Sequence, residues 1–257
     1  MGKGRQGMGI RAALLAGILM LDGALLGTTA GIWNCTREVG GGTYRAVHQA
    51  AARGRFISEP VTKELAETDR QKEPKVVALT FDDGPHAVHT KALLDGLKER
   101  GVKVTFFLMG QSIEGNEELV ERMKMEGHLI GNHSYRHVQL TKAGEDAVCD
   151  AVEETELMIE KITGARPQYL RPPYGDWNEN LECRLDLTTV FWSVDSLDWK
   201  LQDVGKIVEN VEKKVKSGDI VLMHDIFPTS VEAALQLVDH LSRQGYQFVT
   251  VEELLID

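Results

Sequence analysis

Two carboxylates stand side by side in Thr80-Phe81-Asp82-Asp83-Gly84-Pro85, and two histidines four apart follow in Gly131-Asn132-His133-Ser134-Tyr135-Arg136-His137. One carboxylate with two imidazoles makes a two-nitrogen, one-oxygen set. Such a set holds a catalytic divalent cation and leaves coordination positions open for water and substrate. The second carboxylate is then free to handle a proton. Arg171 heads Arg171-Pro172-Pro173-Tyr174-Gly175. The two prolines stiffen that loop and fix where Arg171 and the Tyr174 backbone amide point. A guanidinium there can orient a carboxylate through a charge-assisted hydrogen bond. Asp195-Ser196-Leu197-Asp198-Trp199 and Ile220-Val221-Leu222-Met223-His224-Asp225 complete the polar set. His224 makes an acid–base pair if Asp198 reaches it. Each stretch alone has a plainer explanation. Asp-Asp-Gly suits a β-turn, His-x-x-x-His arises by chance, and a histidine ending an apolar strand is often a core residue.

The elements that must position these groups follow from the apolar pattern. Strands are expected at Val76–Phe81, Val102–Leu108, Leu129-Ile130, Tyr169-Leu170, Thr188–Val194, Ile220–Met223 and Phe248-Val249. Helical patterns fall between them, at Lys91–Arg100, Glu117–Glu126, Glu145–Thr163, Val204–Lys216 and Val231–Gln244, with a closing turn at Glu252–Leu255. Alternation of this kind implies βα units and a mostly parallel sheet. About seven units fit a distorted, incomplete (β/α) barrel of the α/β class better than the full eight-unit barrel, which takes ~250 residues. Every polar stretch lies just past a strand, where such folds gather their active groups. On a regular strand Asp82 and Asp83 point to opposite faces. His133 and His137 share a face if the backbone there is helical.

The chain has 257 residues, 42% of them hydrophobic and 26% charged, with a net charge of −10. That charge is uneven: residues 1–75 carry +4 and the remainder −14. So acidic a body repels nucleic acid and suits a neutral substrate. Cys35, Cys149 and Cys183 are too few for a disulfide scaffold and lack metal-type spacing. A Cys149–Cys183 bridge is conceivable, but small buried thiols account for them more simply. Lys3, Arg5 and Arg11 precede an apolar run from Ala12 to Ile32 broken by Asp22. A basic flank before an apolar stretch is an export pattern, so residues 1–32 are expected to be a signal peptide or an N-terminal membrane anchor. Residues 33–72, with Gly40-Gly41-Gly42, are expected to be a linker, and 73–257 the catalytic domain. The body would then be extracytoplasmic, in a bacterial cell envelope, anchored or secreted.

Taken together, TFDDGP, HSYRH, RPPYG, DSLDW and LMHD resemble the motifs of the polysaccharide deacetylases, the family-four carbohydrate esterases, in the family's order across residues 80–225. The resemblance implies a distorted (β/α) barrel and a division of labour. Asp83, His133 and His137 would bind a divalent metal, with zinc expected and cobalt, nickel or manganese compatible with the same ligands. Asp82 would be the general base, held and aimed by Arg171. The Tyr174 backbone N–H would share the oxyanion. His224 would be the general acid, oriented by Asp198, and Trp199 and Leu222 would wall the pocket for the acetyl methyl. The reaction implied is hydrolysis of the N-acetyl group of N-acetylglucosamine in an extracellular polysaccharide, foremost peptidoglycan. Chitin oligomers, an exopolysaccharide or O-acetylated xylan are rival substrates. An inactive glycan-binding relative and a hydrolase of small cyclic amides are rivals of another kind. The stretch from Asn178 to Leu187 looks shorter than the helix usual at that place in the family.

Overall fold

Lys75–Asp82 is the first strand, β1, and everything that follows is hung on it. The computed structural model describes residues 74–142, 144–177 and 186–256. The expected export segment, the linker and its boundary near residue 72, Cys35, Cys183 and most of the stretch 178–187 lie outside the described residues. Along β1 alternate residues part company. Val77, Leu79 and Phe81 join the main apolar core, and Ala78 belongs to a separate inner cluster with Phe107, Tyr169 and Val190. Asp82, two residues beyond Thr80, carries that inner row to the strand's C-terminal end.

In chain order β1 is followed by α1 (His89–Arg100), β2 (Thr105–Leu108), α2 (Gly110–Ile113), α3 (Glu117–Met125) and β3 (Leu129–Asn132). Next come α4 (Glu145–Thr163), β4 (Tyr169–Leu170), β5 (Thr188–Thr189), β6 (Val194–Asp195), α5 (Asp198–Leu201) and α6 (Val204–Glu212). The chain closes with β7 (Asp219–His224), α7 (Pro228–Arg243), β8 (Tyr246–Phe248) and α8 (Val251–Ile256). The strands run in the order β5-β4-β3-β2-β1-β7-β6, and β8 pairs with β1. Every pairing is parallel. β8 takes the first half of β1, Lys75 to Val77, and β2 takes the second, Thr80 to Asp82. The result is the expected distorted, incomplete (β/α) barrel. Helices α1 and α7 pack Leu93, Leu94, Leu97, Leu237 and Leu241 against Leu79, Phe81, Val221 and Met223. Helix α1 stops at Gly101, whose φ of 64° is the left-handed C-cap that glycine adopts without strain. Among the described residues no helix is long and apolar enough to cross a membrane.

One expected strand does not exist as such. Thr188–Val194 splits into β5 and β6, which lie on opposite edges of the sheet. The amide of Val190 still bonds Leu170 on β4, at 2.8 Å, but the amide of Ser193 bonds Ile220 on β7, at 3.0 Å. Between them the chain crosses the open side of the barrel. The carbonyls of Val190 and Phe191 accept from the Arg171 guanidinium at 3.4 and 3.2 Å. A side chain thus takes the hydrogen bonds a neighbouring strand would have supplied. The last element is a helix, α8, rather than the expected turn.

Candidate active site

β1 delivers Asp82 as its last residue, in register with His224 at the end of β7. Asp83 then takes a left-handed conformation, φ 73°. This bends the chain so that both carboxylates face one cavity, against the expectation of opposite faces. The Asp83 carbonyl accepts from Ser112 Oγ at 2.9 Å, and the Gly84 carbonyl accepts from the Met109 amide at 3.1 Å. At Gly84 a Cβ would lie 2.3 Å from Asp225 Oδ1. Only glycine lets the loop settle on that fully buried carboxyl, which Thr90 Oγ1 also holds, at 2.5 Å.

β3 leads directly into His133. The segment to His137 is not helical: Ser134 and His137 have φ of 63° and 53°. Two left-handed kinks, not a helical face, bring the imidazoles together. Asn132 fixes the first kink. Its Oδ1 accepts from the Ser134 amide at 2.7 Å, and its Nδ2 donates to the Val152 carbonyl on α4 at 2.8 Å. His133 Nδ1 lies 2.6 Å from the Arg171 carbonyl. A carbonyl can only accept, so Nδ1 carries a proton and Nε2 is the nitrogen turned towards Asp83.

Asp83, His133 and His137 each offer a ligand atom, and these atoms lie within 4.8 Å of one another. Asp83 Oδ1 is 3.4 Å from His133 Nε2 and 3.6 Å from His137 Nε2. That oxygen is buried and has no hydrogen-bond partner among the described residues. An orphaned buried anion beside two imidazole nitrogens suits a divalent cation. Burial alone would raise the Asp83 carboxyl. The imidazole of His133, then those of His224 and His137, outweigh it and leave it below the ordinary value. Burial, and then His133, push His137 down, towards the neutral form a ligand needs.

Arg171 follows β4 and is fully buried. Its Nη1 donates to Asp82 Oδ1 at 2.9 Å and to Thr80 Oγ1 at 2.6 Å. The guanidinium lies 4.2 Å over the Phe107 ring. Burial lowers its proton affinity and Asp82 works against that. Tyr174, three residues on, has φ 62° and an exposed ring set edge-on against His137 at 4.4 Å.

Asp198 is fully buried. Its Oδ2 accepts from the His224 amide and its Oδ1 from His224 Nδ1, both at 2.8 Å. Burial alone would lower His224. The hydrogen bond and charge of Asp198 override it, with help from Asp82 and Asp83, and raise it to about 9. His224 is therefore an imidazolium at neutral pH.

Asp82, Asp83, His133, His137 and His224 line a cavity of about 500 Å³, which Pro172, Tyr174, Trp192, Trp199 and Leu222 also border; Arg171 and Asp198 lie buried behind it. Two lining residues carry no role in the sequence reading. Trp192 lies between β5 and β6, inside the run expected to be one strand, and a Cβ on Gly175 would come within 2.9 Å of its ring. Asp195 stands three residues before Asp198, at the head of the same motif. His86 and His89 stack on each other at 4.3 Å and do not line the cavity. His128 is buried in the core, and His240 pairs with Glu212 at 2.8 Å. Cys149 forms no disulfide among the described residues.

Residues 69–189 match the family described as polysaccharide deacetylase. A peptidoglycan-N-acetylmuramic acid deacetylase of Bacillus subtilis is 41% identical over 180 residues, covering 70% of this chain and 38% of its own length. A peptidoglycan-N-acetylglucosamine deacetylase of Listeria monocytogenes is 40% identical over 195 residues, covering 76% of this chain and 42% of its own. The chain thus spans about two fifths of the length of these relatives. The solved structure of a peptidoglycan deacetylase from Bacillus subtilis superposes with a TM-score of 0.69 at 40% identity, over 71% of this chain and 90% of that one.

Proposed function

This chain belongs to the polysaccharide deacetylase family, and from that premise we propose that it removes N-acetyl groups from N-acetylglucosamine residues of peptidoglycan, releasing acetate and leaving a free amine. The observation that carries this reading is the convergence on one cavity of Asp82, the Asp83–His133–His137 set and the Asp198–His224 pair. Asp83, His133 and His137 would hold the metal, most simply zinc. A divalent cation bound there supplies Lewis acidity to the amide carbonyl and to water.

The chain's own groups do the rest. Asp82, pinned by Arg171, takes a proton from the attacking water as its oxygen adds to the acetamide carbon. The Tyr174 backbone N–H donates to the oxygen that gains charge; one such donor is worth ~10²–10³ in rate. His224, already protonated, gives its proton to the departing nitrogen as the C–N bond breaks. Asp198 holds the imidazolium in place through Nδ1, so that Nε2 is the acid. Trp199 and Leu222 border the space for the acetyl methyl. The basic, apolar N-terminal run favours action outside the cytoplasmic membrane, with the body anchored or released.

The test is acetate and free-amine release from peptidoglycan by the purified body, before and after chelation and after return of zinc, cobalt, nickel or manganese. Release that chelation abolishes and a metal restores is expected. No release from any N-acetylglucosamine polymer ends the reading.

A further inference from the structure

The relatives divide between two sugars, N-acetylglucosamine and N-acetylmuramic acid. The sugars differ in one respect that physics can read: the second carries a lactyl ether on O3, whose free acid is an anion. O3 is borne by C3, the ring carbon next to the one that carries the acetamido group. Whichever way the glycan lies, a substituent on O3 must sit close to the reacting group, inside or at the mouth of the same cavity.

Asp195 lines that cavity and serves none of the steps above. It ends β6, in register with the wall residue Leu222. Its Oδ1 accepts from the Leu197 amide at 2.8 Å, which locks the side chain in a tight turn. Its backbone carbonyl is tied down as well, accepting from Asn210 Nδ2 at 3.0 Å. Oδ2 has no donor among the described residues, and Asp195 is only half-buried where it lines the cavity. The turn that fixes Asp195 also sets Asp198 and Trp199, so its position is tied to the acid and the wall. A fixed carboxylate oxygen accepts well from a hydroxyl. It repels another carboxylate, and more so in a cleft whose floor already holds Asp82 and Asp83.

We propose that Asp195 is a specificity residue, accepting a hydrogen bond from a free sugar hydroxyl next to the acetamido group and rejecting glycans that carry a carboxylate there, so that the chain favours N-acetylglucosamine over N-acetylmuramic acid. This rests on the deacetylase reading and narrows its substrate.

Binding separates the two. In an Asp82→Asn background, where turnover is blocked, tryptophan fluorescence reads cavity occupancy through Trp192 and Trp199. The probes are chitotetraose and a peptide-free oligosaccharide of alternating N-acetylglucosamine and N-acetylmuramic acid, each with metal-loaded protein. At least tenfold tighter binding of chitotetraose is expected, with the gap falling below threefold on adding Asp195→Asn and shrinking at high salt. Asparagine keeps an oxygen for the Leu197 amide, so the fold is spared. Equal affinities, a preference for the muramoyl glycan, no binding of either probe, or a gap untouched by Asp195→Asn would each overturn the proposal. Failure of the deacetylase reading shows elsewhere, as wild-type protein that binds chitotetraose and releases no acetate from it.

Discussion

Arg171 Nη1 stands 2.9 Å from Asp82 Oδ1, and neither side chain is exposed to solvent. The pair links β4 to β1 across the inside of the barrel and aims a carboxylate at the cavity. Its other donors bond the carbonyls at the split between β5 and β6. One side chain therefore closes the gap in the sheet and orients the proposed base. Removing one member of a buried ion pair strands the other, at a cost of roughly 3–5 kcal/mol. Arg171→Met is expected to lose that much in urea unfolding. Asp82→Asn/Arg171→Met should be more stable than Arg171→Met alone, because the uncompensated carboxylate is gone. Equal stability of the single and double variants would show that the two groups are not coupled.

The division of labour between adjacent aspartates gives a second expectation. Asp83 Oδ1 belongs to the three-atom ligand cluster, whereas Asp82 is held by Arg171, with its Oδ2 3.7 Å from His133 Nε2. Asp82→Asn should retain close to one metal per chain after dialysis and lose acetate release by ~10²–10⁴. Asp83→Asn should lose metal and activity together. Metal content and initial rate, measured on the same samples, decide this. An Asp82→Asn protein that comes out of dialysis empty would reverse the assignment.

The parts of this site that could be read from sequence are those that depend on residue type and on the ends of strands. β1, β4 and α4 follow from apolar runs and helical spacing, and the polar stretches sit at strand ends because a parallel barrel offers no other place for them. The parts that escaped are backbone events. Asp83, Ser134 and His137 adopt left-handed conformations, which Asp and His visit more often than most residues but which residue type alone does not fix. Those kinks set the carboxylates on one face and bring the imidazoles together without a helix. The break at 190–193 escaped for a different reason. Thr188 to Val194 is as β-prone as any strand in the chain, and what divides it is a guanidinium from a distant loop. Trp192 was lost with it.

His224 provides a pH-dependent expectation. Its folded value, about 9, lies above the ordinary 6.5 because of Asp198. A raised folded value means that the pair's contribution to stability is complete below 6.5 and fades as pH climbs through about 9. In metal-free protein the His224 ring signal should titrate near 9 by NMR. Asp198→Asn, which keeps an acceptor but removes the charge, should bring it down by at least one unit. It should also abolish the alkaline loss of stability. A ring that titrates near 6.5 in the wild type would mean that Asp198 positions His224 without holding its proton.

His128 predicts the opposite slope on the acid side. Its ring lies in the core, edge-on to Phe106 at 5.3 Å, and Nδ1 accepts from the Val104 amide at 3.2 Å. A proton on Nδ1 would face that N–H and break the bond. Burial pushes the ring down to about 4, with Glu126 opposing too weakly to matter. Unfolding frees the imidazole to protonate at its ordinary value, so stability holds above 6.5 and falls as pH drops towards 4. The difference corresponds to roughly 3 kcal/mol over that window. Other groups titrate across the same range, so the comparison must be differential. Asparagine at 128 places an oxygen where Nδ1 was and does not titrate. Unfolding free energies of wild type and His128→Asn, measured from pH 7.5 to 4, should therefore converge as the solution becomes acidic. Parallel profiles would mean that His128 is charged in the folded core or that the fold admits water to it.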